Sequence, residues 1–291
     1  MVRRQQIALA GDPLFKWAGG KRWLTPLLVP EIHRYLAATS GRYIEPFLGG
    51  GAVALALAAP QMLLADIEAP LIEAYRAIRD DCHPVAKSLE TMVRDGIQLA
   101  DYLRVRASKP IATSSAAARL LYLNRLCFNG LYRTNQKGEF NVPYGRYKRP
   151  SFPGPDEIGR AAATLSTSEL LTQDFETTID TARLGDCVYA DPPYHSVKPA
   201  FVSYHQRPFL EIDHLRLAAA LQRASTKGAW VISTNSDTEL IRRSYEWTSV
   251  LRTRERRAIN SNPQGRGCVH CVLIGVAWDK HINQDNTMQL E

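Results

Sequence analysis

The sequence predicts an α/β protein whose Rossmann-like sheet is interrupted by an inserted, mainly helical segment. A strand pattern at residues 43–47 runs into three glycines, a small-apolar helix and a second strand that leads to an acid. Residues 69–124 are helical and amphipathic in pattern, and strand–helix alternation resumes after residue 155. The 291 residues are 45% hydrophobic and 22% charged, an ordinary globular composition that excludes a disordered or fibrous class.

The first part of the predicted sheet is short in sequence. A strand at residues 43–47 leads into a glycine loop at residues 49–51 and a helix at residues 52–59. A second strand at residues 61–65 then ends at Asp66. A glycine turn followed by a strand-terminal acid suits an adenosine-containing cofactor, because glycines let a ligand approach the backbone and the acid is placed for ribose hydroxyls. The glycines do not match the dinucleotide spacing GxGxxG, which weighs against NAD.

The predicted insert combines helices with a β-hairpin. Helices cover residues 69–124, and the hairpin covers residues 129–143 with its turn at residues 137–138. Three prolines between residues 150 and 155 then punctuate the chain as at a boundary. We therefore expect a discontinuous sheet domain at residues 1–68 and 155–280. An inserted domain would cover residues 69–154, and a polar tail residues 281–291.

The second part of the sheet resumes the alternation. Strands are predicted at residues 168–172, 186–190, 229–234, 247–252 and 269–278, and helices at residues 210–226 and 237–245.

Positive charge is concentrated in two windows. The net charge is +7, and residues 121–150 hold six cations against one anion, while residues 241–270 hold seven against two. Five aromatic residues lie among the cations of the first window: Phe128, Tyr132, Phe140, Tyr144 and Tyr147. Cations interleaved with aromatic faces neutralise phosphates and stack on bases, so this pattern predicts a nucleic-acid surface.

Cysteine usage and hydropathy predict a cytoplasmic protein. The five cysteines are scattered and odd in number, which is not a disulfide framework. No apolar run is long enough for a membrane span, and no apolar signal core follows the basic N-terminus. The Cys268-x-His270-Cys271 spacing is too tight for most zinc sites, so we expect no metal.

The sequence Asp191-Pro192-Pro193-Tyr194 is the sharpest chemical feature. It follows an apolar strand, where ligands bind in open α/β sheets. The prolines remove two N–H donors, so the turn presents acceptors, the Asp191 carboxylate and the Pro192 carbonyl. Two acceptors hold both protons of an exocyclic amine and free its lone pair for attack, and Tyr194 offers a face on which a base stacks.

Several motifs occur in the order found in one family of enzymes. Together they resemble the Dam-type, D12 class (alpha-group) DNA adenine-N6 methyltransferases, over about residues 14–278. The matching segments are Lys16-Trp17-Ala18-Gly19-Gly20-Lys21, Glu45-Pro46-Phe47, Leu64-Ala65-Asp66-Ile67, Asn129-Gly130-Leu131-Tyr132-Arg133, Gly138-Glu139-Phe140-Asn141-Val142-Pro143 and Asp191-Pro192-Pro193-Tyr194.

The resemblance implies a methyltransferase sheet that binds S-adenosylmethionine. Trp17 would pack near the sulfonium-bearing chain, Lys21 would pair with the methionine carboxylate, and Asp66 would hold the ribose. Asp174 would meet the cofactor's adenine amine, with Phe175 against the ring. The other cofactor-lining residues would be Glu45, Pro46, Phe47, Gly49, Gly51 and Asp191.

The resemblance also implies double-stranded DNA as the partner and GATC as its site. Arg133 would read a guanine edge, and Leu131 and Pro143 would contact a thymine methyl. Phe128 and Asn129 would fill the gap left by a flipped adenine. Lys16 and Tyr147 complete the reading positions, and Arg125, Asn141, Phe201, Tyr204, Asn260, Ser261, Asn262 and Arg266 complete the expected DNA contacts.

Other functions stay open at this point. The acceptor turn suits any exocyclic amine, so cytosine-N4 or adenine in RNA are alternatives, which the hairpin would discriminate. A third alternative is a catalytically silent DNA-binding protein, and failure to bind the cofactor would favour it. No cysteine is placed for C5-cytosine chemistry, and no metal-nuclease cluster is visible. A cognate restriction endonuclease is an open partner, and a monomer is favoured.

Overall fold

The computed structural model describes residues 11–17, 19–196, 209–256 and 268–275. In the described chain, seven strands form one sheet in the order β3-β2-β1-β4-β5-β7-β6. They are β1 Tyr43–Glu45, β2 Met62–Asp66, β3 Glu169–Thr172, β4 Cys187–Ala190, β5 Trp230–Ser236, β6 Ser249–Arg256 and β7 Cys268–Gly275.

The sheet is mainly parallel, with an antiparallel end. Strands β1 to β5 pair in parallel, while β7 runs antiparallel to both β5 and β6. The strand order reverses between β1 and β4, which is where ligands bind in sheets of this kind. The predicted Rossmann-like sheet is therefore confirmed.

Helices cover the two faces of this sheet. They are α1 Thr25–Thr39, α2 Ala52–Leu57, α3 Ala69–Asp80, α4 Cys82–Asp95, α5 Leu99–Ala107, α6 Thr113–Leu126, α7 Pro155–Leu165, α8 Phe175–Asp180, α9 Glu211–Thr226 and α10 Glu239–Ser244. In the described residues, no helix is long and apolar enough to cross a membrane.

Two hydrophobic cores lie on opposite faces, because alternate strand residues point to opposite sides. In β4, Tyr189 joins a core that includes α1 to α7, while Val188 joins one that includes α8 to α10. The first core also takes Phe140 and Val142 of the predicted hairpin. The helical segment thus shares a continuous core with one face of the sheet.

Helices α1 and α7 are not among the helices that the sequence predicts. Helix α1 contains Pro30, yet buries Leu28 and Ile32. Helix α7 begins at Pro155, one of the prolines that predict a boundary, because proline suits the first turn of a helix as well as a break. Glu157 accepts a hydrogen bond from the Gly154 N–H at 2.8 Å and closes that first turn.

The predicted hairpin reverses direction at its predicted turn, but its two arms form isolated bridges instead of continuous strands. Isolated bridges join Thr134 to Phe140 and Cys127 to Tyr144. The Gly138 N–H donates to the Asn135 carbonyl at 2.9 Å, which closes the turn. A 3-10 turn at Phe128–Gly130 precedes the hairpin and carries Asn129 at a φ of 55°.

Candidate active site

Acidic side chains lie at the carboxyl ends of three strands in the parallel part of the sheet. Asp66 ends β2, Asp174 lies just beyond β3, and Asp191 follows β4 directly. The carboxyl ends of parallel strands meet at the same edge, so these carboxylates face the crevice at which ligands bind.

Asp191 is held by groups from two other segments. The Thr234 hydroxyl on β5 donates to Asp191 Oδ1 at 2.6 Å, and Lys21 Nζ lies 3.0 Å from the same oxygen. The side chains of Lys21 and Asp191 are only 3% and 17% exposed, so this ion pair is well shielded from solvent. Thr234 and Lys21 therefore fix the Asp191 carboxylate at the start of the proline turn, and the next residue, Pro192, is buried.

The end of the proline turn is also anchored. Lys21 Nζ lies 4.6 Å from the centroid of the Tyr194 ring, within cation–π range. The His195 N–H donates to Asn235 Oδ1 at 3.0 Å, and His195 Nδ1 lies 2.8 Å from the Thr238 hydroxyl. Partners before and after Tyr194 therefore limit its movement.

A buried histidine supports this anchor from helix α9. His214 Nδ1 lies 3.4 Å from Asn235 Nδ2, and the His214 ring packs edge-on against His195 and Phe209. Burial, reinforced by the neighbouring His195, lowers the pKa of His214 to about 4. The ring is neutral at pH 7, which lets Nδ1 accept from the Asn235 amide.

The glycine loop after β1 is tied to the acid of β2. Asp66 Oδ2 accepts from the Gly49 N–H at 2.9 Å, and Oδ1 accepts from the Glu68 N–H at 3.0 Å. Gly49 and Gly51 have φ angles of 48° and 67°, a region that glycine enters without strain. A Cβ on Gly49 would lie 2.8 Å from Trp17 Cδ1, so the loop needs glycine for its close contact with the indole.

Trp17 links this loop to the hairpin. Its ring stacks on Tyr132 with centroids 5.6 Å apart and planes 21° apart. The indole therefore contacts both the predicted cofactor loop and the predicted recognition segment.

Glu45 is an acid in a buried setting beside these groups. It is 3% exposed, and Tyr43 donates its hydroxyl proton to Glu45 Oε2 at 2.9 Å. Burial, with the charges of Asp191 and Asp66 adding to it, raises the pKa of Glu45 to about 8. Glu45 is therefore largely protonated at neutral pH in the ligand-free protein.

The Asp174-Phe175 pair opens helix α8. Asp174 caps the helix by accepting from the Glu176 N–H at 2.9 Å. Phe175 is 6% exposed and stacks with Phe47, with ring centroids 5.3 Å apart. Phe209 packs against both rings, so three aromatic side chains form a cluster beside Asp174.

Asn124 at the end of helix α6 connects the N-terminal motif to the recognition segment. Its amide accepts from the Lys16 N–H at 2.7 Å and donates to the carbonyls of Lys16 and Gly130 at 2.7 and 3.1 Å. Asn124 is 1% exposed, so these hydrogen bonds are made without solvent. A Cβ on Gly130 would come within 2.5 Å of Lys16 Cβ, which shows how closely the two segments approach.

The predicted base-contacting residues gather around this junction. Phe128 is 43% exposed, and its N–H donates to the Pro143 carbonyl at 2.8 Å. Lys16 Nζ lies 4.5 Å from the centroid of the Tyr147 ring. Burial, and to a lesser extent Arg125, lower the pKa of Lys16.

Arg133 and Asn141 form a pair on the exposed hairpin. Arg133 Nε donates to Asn141 Oδ1 at 2.8 Å, and the Asn141 N–H donates to the Arg133 carbonyl at 3.0 Å. The side-chain bond restricts the guanidinium orientation. Leu131 precedes this pair and is partly buried against the first core.

Arg125 has a different environment from the other predicted DNA contacts. Its guanidinium donates to the carbonyls of Leu14 and Pro13. Burial lowers its pKa. Its side chain therefore holds the N-terminal segment, and sequence reasoning could not foresee these backbone partners more than 100 residues away.

Several predicted residues lie outside the described chain: Ala18, Phe201, Tyr204, Asn260, Ser261, Asn262 and Arg266. Sequence reasoning missed Thr234, Asn235 and His195, although the polar run Ser233-Thr234-Asn235 at the end of a predicted apolar strand was an available signal for the first two. It also missed Arg216 on α9, whose contacts with Asp174 arise only in the folded chain.

The sheet and the Asp-Pro-Pro-Tyr turn at its carboxyl edge define a Rossmann-like methyltransferase. The chain belongs to the D12 class of N6 adenine-specific DNA methyltransferases, whose family model matches residues 17–259. This family methylates adenine in DNA, which favours that substrate over cytosine-N4 and RNA, and it implies S-adenosylmethionine as the methyl donor.

Curated relatives agree with the family. A type II methyltransferase of Lactococcus lactis subsp. cremoris is 32% identical over 94% of this chain and 98% of its own. A DNA adenine methylase of Serratia marcescens is 36% identical over 89% of this chain and 96% of its own. A retron DNA adenine methylase of Escherichia coli is 36% identical over 80% of both chains.

The residues at the carboxyl edge suit the chemistry of this cofactor. Asp66 and Asp174 supply acceptors for hydroxyl and amine groups, and Lys21 supplies a cation for a carboxylate. The left-handed Gly49 and Gly51 set the path of the loop beside Asp66, and Phe47 brings an aromatic face to the Asp174-Phe175 pair.

Proposed function

We propose that this enzyme recognises GATC in duplex DNA, flips its adenine out of the helix and methylates N6 by direct transfer. The observation that carries the proposal is the anchored proline turn: Asp191 is held by Thr234 and Lys21, and the chain beyond Tyr194 is held by Asn235. A flipped base needs such a preformed acceptor site, because an aromatic amine is a weak nucleophile while its lone pair stays in the ring.

The acceptors of the turn act on the amine protons. The Asp191 carboxylate and the Pro192 carbonyl each accept a hydrogen bond from one N6–H group, which favours a pyramidal nitrogen with an available lone pair. Tyr194 stacks on the flipped base. When bound, S-adenosylmethionine would supply an electrophilic methyl group for direct attack by N6, with its sulfur as the leaving group. N6 then loses one proton to solvent, and no covalent enzyme intermediate is needed.

Cofactor binding is proposed for the glycine loop and the acids beside it. Asp66 binds the ribose, Asp174 and Phe175 bind the adenine, and Trp17 lies near the methionine chain. Lys21 pairs with the methionine carboxylate, which requires it to share or leave its present contact with Asp191. The remaining residues line the pocket: Glu45, Pro46, Phe47, Gly49 and Gly51.

Sequence recognition is proposed for the hairpin and the segment beside it. The Arg133–Asn141 pair supports a guanine contact, because Nε bonded to Asn141 leaves the terminal nitrogens to form a fork. Leu131 and Pro143 contact the thymine methyl, and exposed Phe128 enters the gap left by the flipped adenine. Lys16, Asn129 and Tyr147 complete this surface, and Phe201, Tyr204 and residues 260–266 are expected to add contacts.

The division of labour follows the proposed domains. Residues 1–68 and 155–280 carry out catalysis, residues 69–154 read DNA, and residues 281–291 form a tail. We propose a monomer that works in the cytoplasm, and a cognate restriction endonuclease would be consistent with the type II relative.

Methyl transfer to matched duplexes tests the proposal. Labelled S-adenosylmethionine is given to one duplex with a single GATC and to another in which its adenines are replaced by hypoxanthine. We expect label in the first alone, because hypoxanthine lacks the amine. Label in both would contradict N6 as the target, and label in neither, with cofactor binding confirmed, would contradict GATC as the site. Transfer to a random duplex pool would then identify the sequence that is read.

A further inference from the structure

Arg216 on helix α9 contacts each part of the Asp174-Phe175 motif. Its guanidinium carbon lies 4.9 Å from the centroid of the Phe175 ring, and its NH2 donates to Asp174 Oδ1 at 2.9 Å. The same guanidinium donates to Glu176 Oε2 at 2.9 Å and to Asp213 Oδ1 at 3.1 Å. Three carboxylates thus fix a cation at the edge of the aromatic cluster.

The hydrogen bonds of Asp174 are divided unequally between its two oxygens. Oδ1 accepts from both the Glu176 N–H and Arg216, whereas Oδ2 accepts no hydrogen bond from the described chain. Two hydrogen bonds to Oδ1 restrict the rotation of the carboxylate, so Oδ2 also keeps a fixed direction. That second oxygen is suited to a donor brought by a ligand, because an ionised carboxylate only accepts.

We infer that Arg216 is a positioning residue that makes Asp174 selective for the amino group of the cofactor's adenine. The inference rests on the proposed function, in which Asp174 and Phe175 meet that ring. Arg216 has donors alone and stays charged, so its hydrogen bond holds the Asp174 carboxylate in one orientation. A cofactor with hypoxanthine in place of adenine presents a carbonyl oxygen there and gains nothing from this arrangement.

Arg223 is a matched control on the same helix. It pairs with Glu176 at 2.9 Å and with Asp180 at 3.0 Å, and its side chain is 44% exposed, against 34% for Arg216. Arg223 makes no hydrogen bond to Asp174 within the described chain. Substituting methionine for either arginine keeps an unbranched side chain and removes comparable ion pairs, but only Arg216→Met releases Asp174.

The test measures binding of two ligands by calorimetry, S-adenosylhomocysteine and S-inosylhomocysteine, which has oxygen in place of the adenine amine. We expect Arg216→Met to weaken the first about tenfold, which corresponds to ~1.4 kcal/mol. Arg216→Met should change the binding of S-inosylhomocysteine by less than about twofold. Arg223→Met should change the binding of each ligand by less than about twofold. Arg216→Lys, which keeps the charge and loses the planar fork, should fall between wild type and Arg216→Met.

Asp174→Ala separates the failure of this inference from failure of the proposed function. If Asp174→Ala leaves S-adenosylhomocysteine binding intact, the cofactor role of Asp174 is wrong. If Asp174→Ala removes the preference for the amine but Arg216→Met does not, only the role of Arg216 is wrong. If Arg216→Met weakens the binding of both ligands equally, the inference about Arg216 is also wrong, because that result indicates a general structural effect. Unfolding temperatures of all variants are measured alongside.

Discussion

At the scale of single residues, the reactive turn depends on side chains from distant parts of the chain. Lys21 precedes the sheet and Thr234 lies on β5, yet both meet Asp191 Oδ1. Each fixes the carboxylate in advance, so little reorganisation is needed when a base arrives.

Replacing Asp191 tests its role as an acceptor. We expect Asp191→Ala to lower the methyl-transfer rate about 10²- to 10³-fold, as for loss of one preorganised hydrogen bond to a transition state. Binding of S-adenosylhomocysteine, measured by calorimetry, should fall much less than the rate, because Asp191 is only one of the residues expected to line the cofactor. Thr234→Val, which removes only the supporting hydroxyl, should have a smaller effect on the rate. Full turnover by Asp191→Ala would exclude the amine-holding role.

Arg133 and Asn141 offer a test of guanine reading. Arg133→Ala should reduce discrimination at one base pair by about 1–3 kcal/mol, measured as relative kcat/KM on single-substitution duplexes. Asn141→Ala should have a smaller effect, and that effect should vanish on a duplex with 7-deazaguanine at the contacted position. An Asn141→Ala effect that persists on this duplex would show that Asn141 acts independently of the guanine edge.

At the scale of elements, the N-terminal motif and the recognition segment are fastened together at the end of α6. Asn124 bonds to Lys16 and Gly130, and Trp17 stacks on Tyr132. Predicted cofactor and DNA contacts therefore share one short segment of backbone.

Loss of the Asn124 amide should destabilise this junction. Asn124→Ala leaves the buried groups of Lys16 and Gly130 without their partner, and we expect a loss of about 1–3 kcal/mol in the free energy of unfolding. Gln136→Ala, on the exposed hairpin turn, should change it by less than about 0.5 kcal/mol. Urea denaturation measures both, and equal stability of the two variants would show that the junction contributes little.

Some elements were predictable because their signals are contiguous. The glycine loop, Asp66 and the proline turn each follow a strand directly, so their place at the carboxyl edge followed from the sequence. Helix α7 was missed because Pro155 is compatible with both a break and a helix start. Arg216 and Thr234 were missed because only tertiary packing brings them to Asp174 and Asp191.

At the scale of the whole molecule, two buried titratable groups shape the pH dependence of stability. The pKa of Glu45 rises from 4.5 to about 8 on folding, so the folded protein binds more protons than the unfolded chain between those values. The pKa of His214 falls from 6.5 to about 4, so the folded protein binds fewer protons in that lower range. Between pH 4.5 and 6.5 these two differences in bound protons offset each other. The net contribution of the two groups to stability therefore decreases as the pH rises from 6.5 to about 8, through Glu45. It also decreases as the pH falls from 4.5 to about 4, through His214.

The interval from pH 6.5 to 8 isolates the effect of Glu45. We expect the free energy of unfolding of the ligand-free protein to fall across this interval. The slope should be smaller in Glu45→Gln, because the amide does not titrate. Urea denaturation at pH 6.5 and 8.0 measures the change, and an unaltered slope in the variant would assign the titration to another group.

The antiparallel end of the sheet has a consequence for how the chain folds during synthesis. Strand β6 is made before β7, yet it joins the sheet through β7, which pairs with β5 on its other side. Until residue 275 has emerged from the ribosome, β5 keeps an open edge and β6 has no neighbour in the described sheet. Such edges invite pairing with other chains. Strand β7, the last of the described strands to be made, thus joins β6 to the rest of the sheet, and a nascent chain stopped before it would be prone to aggregate.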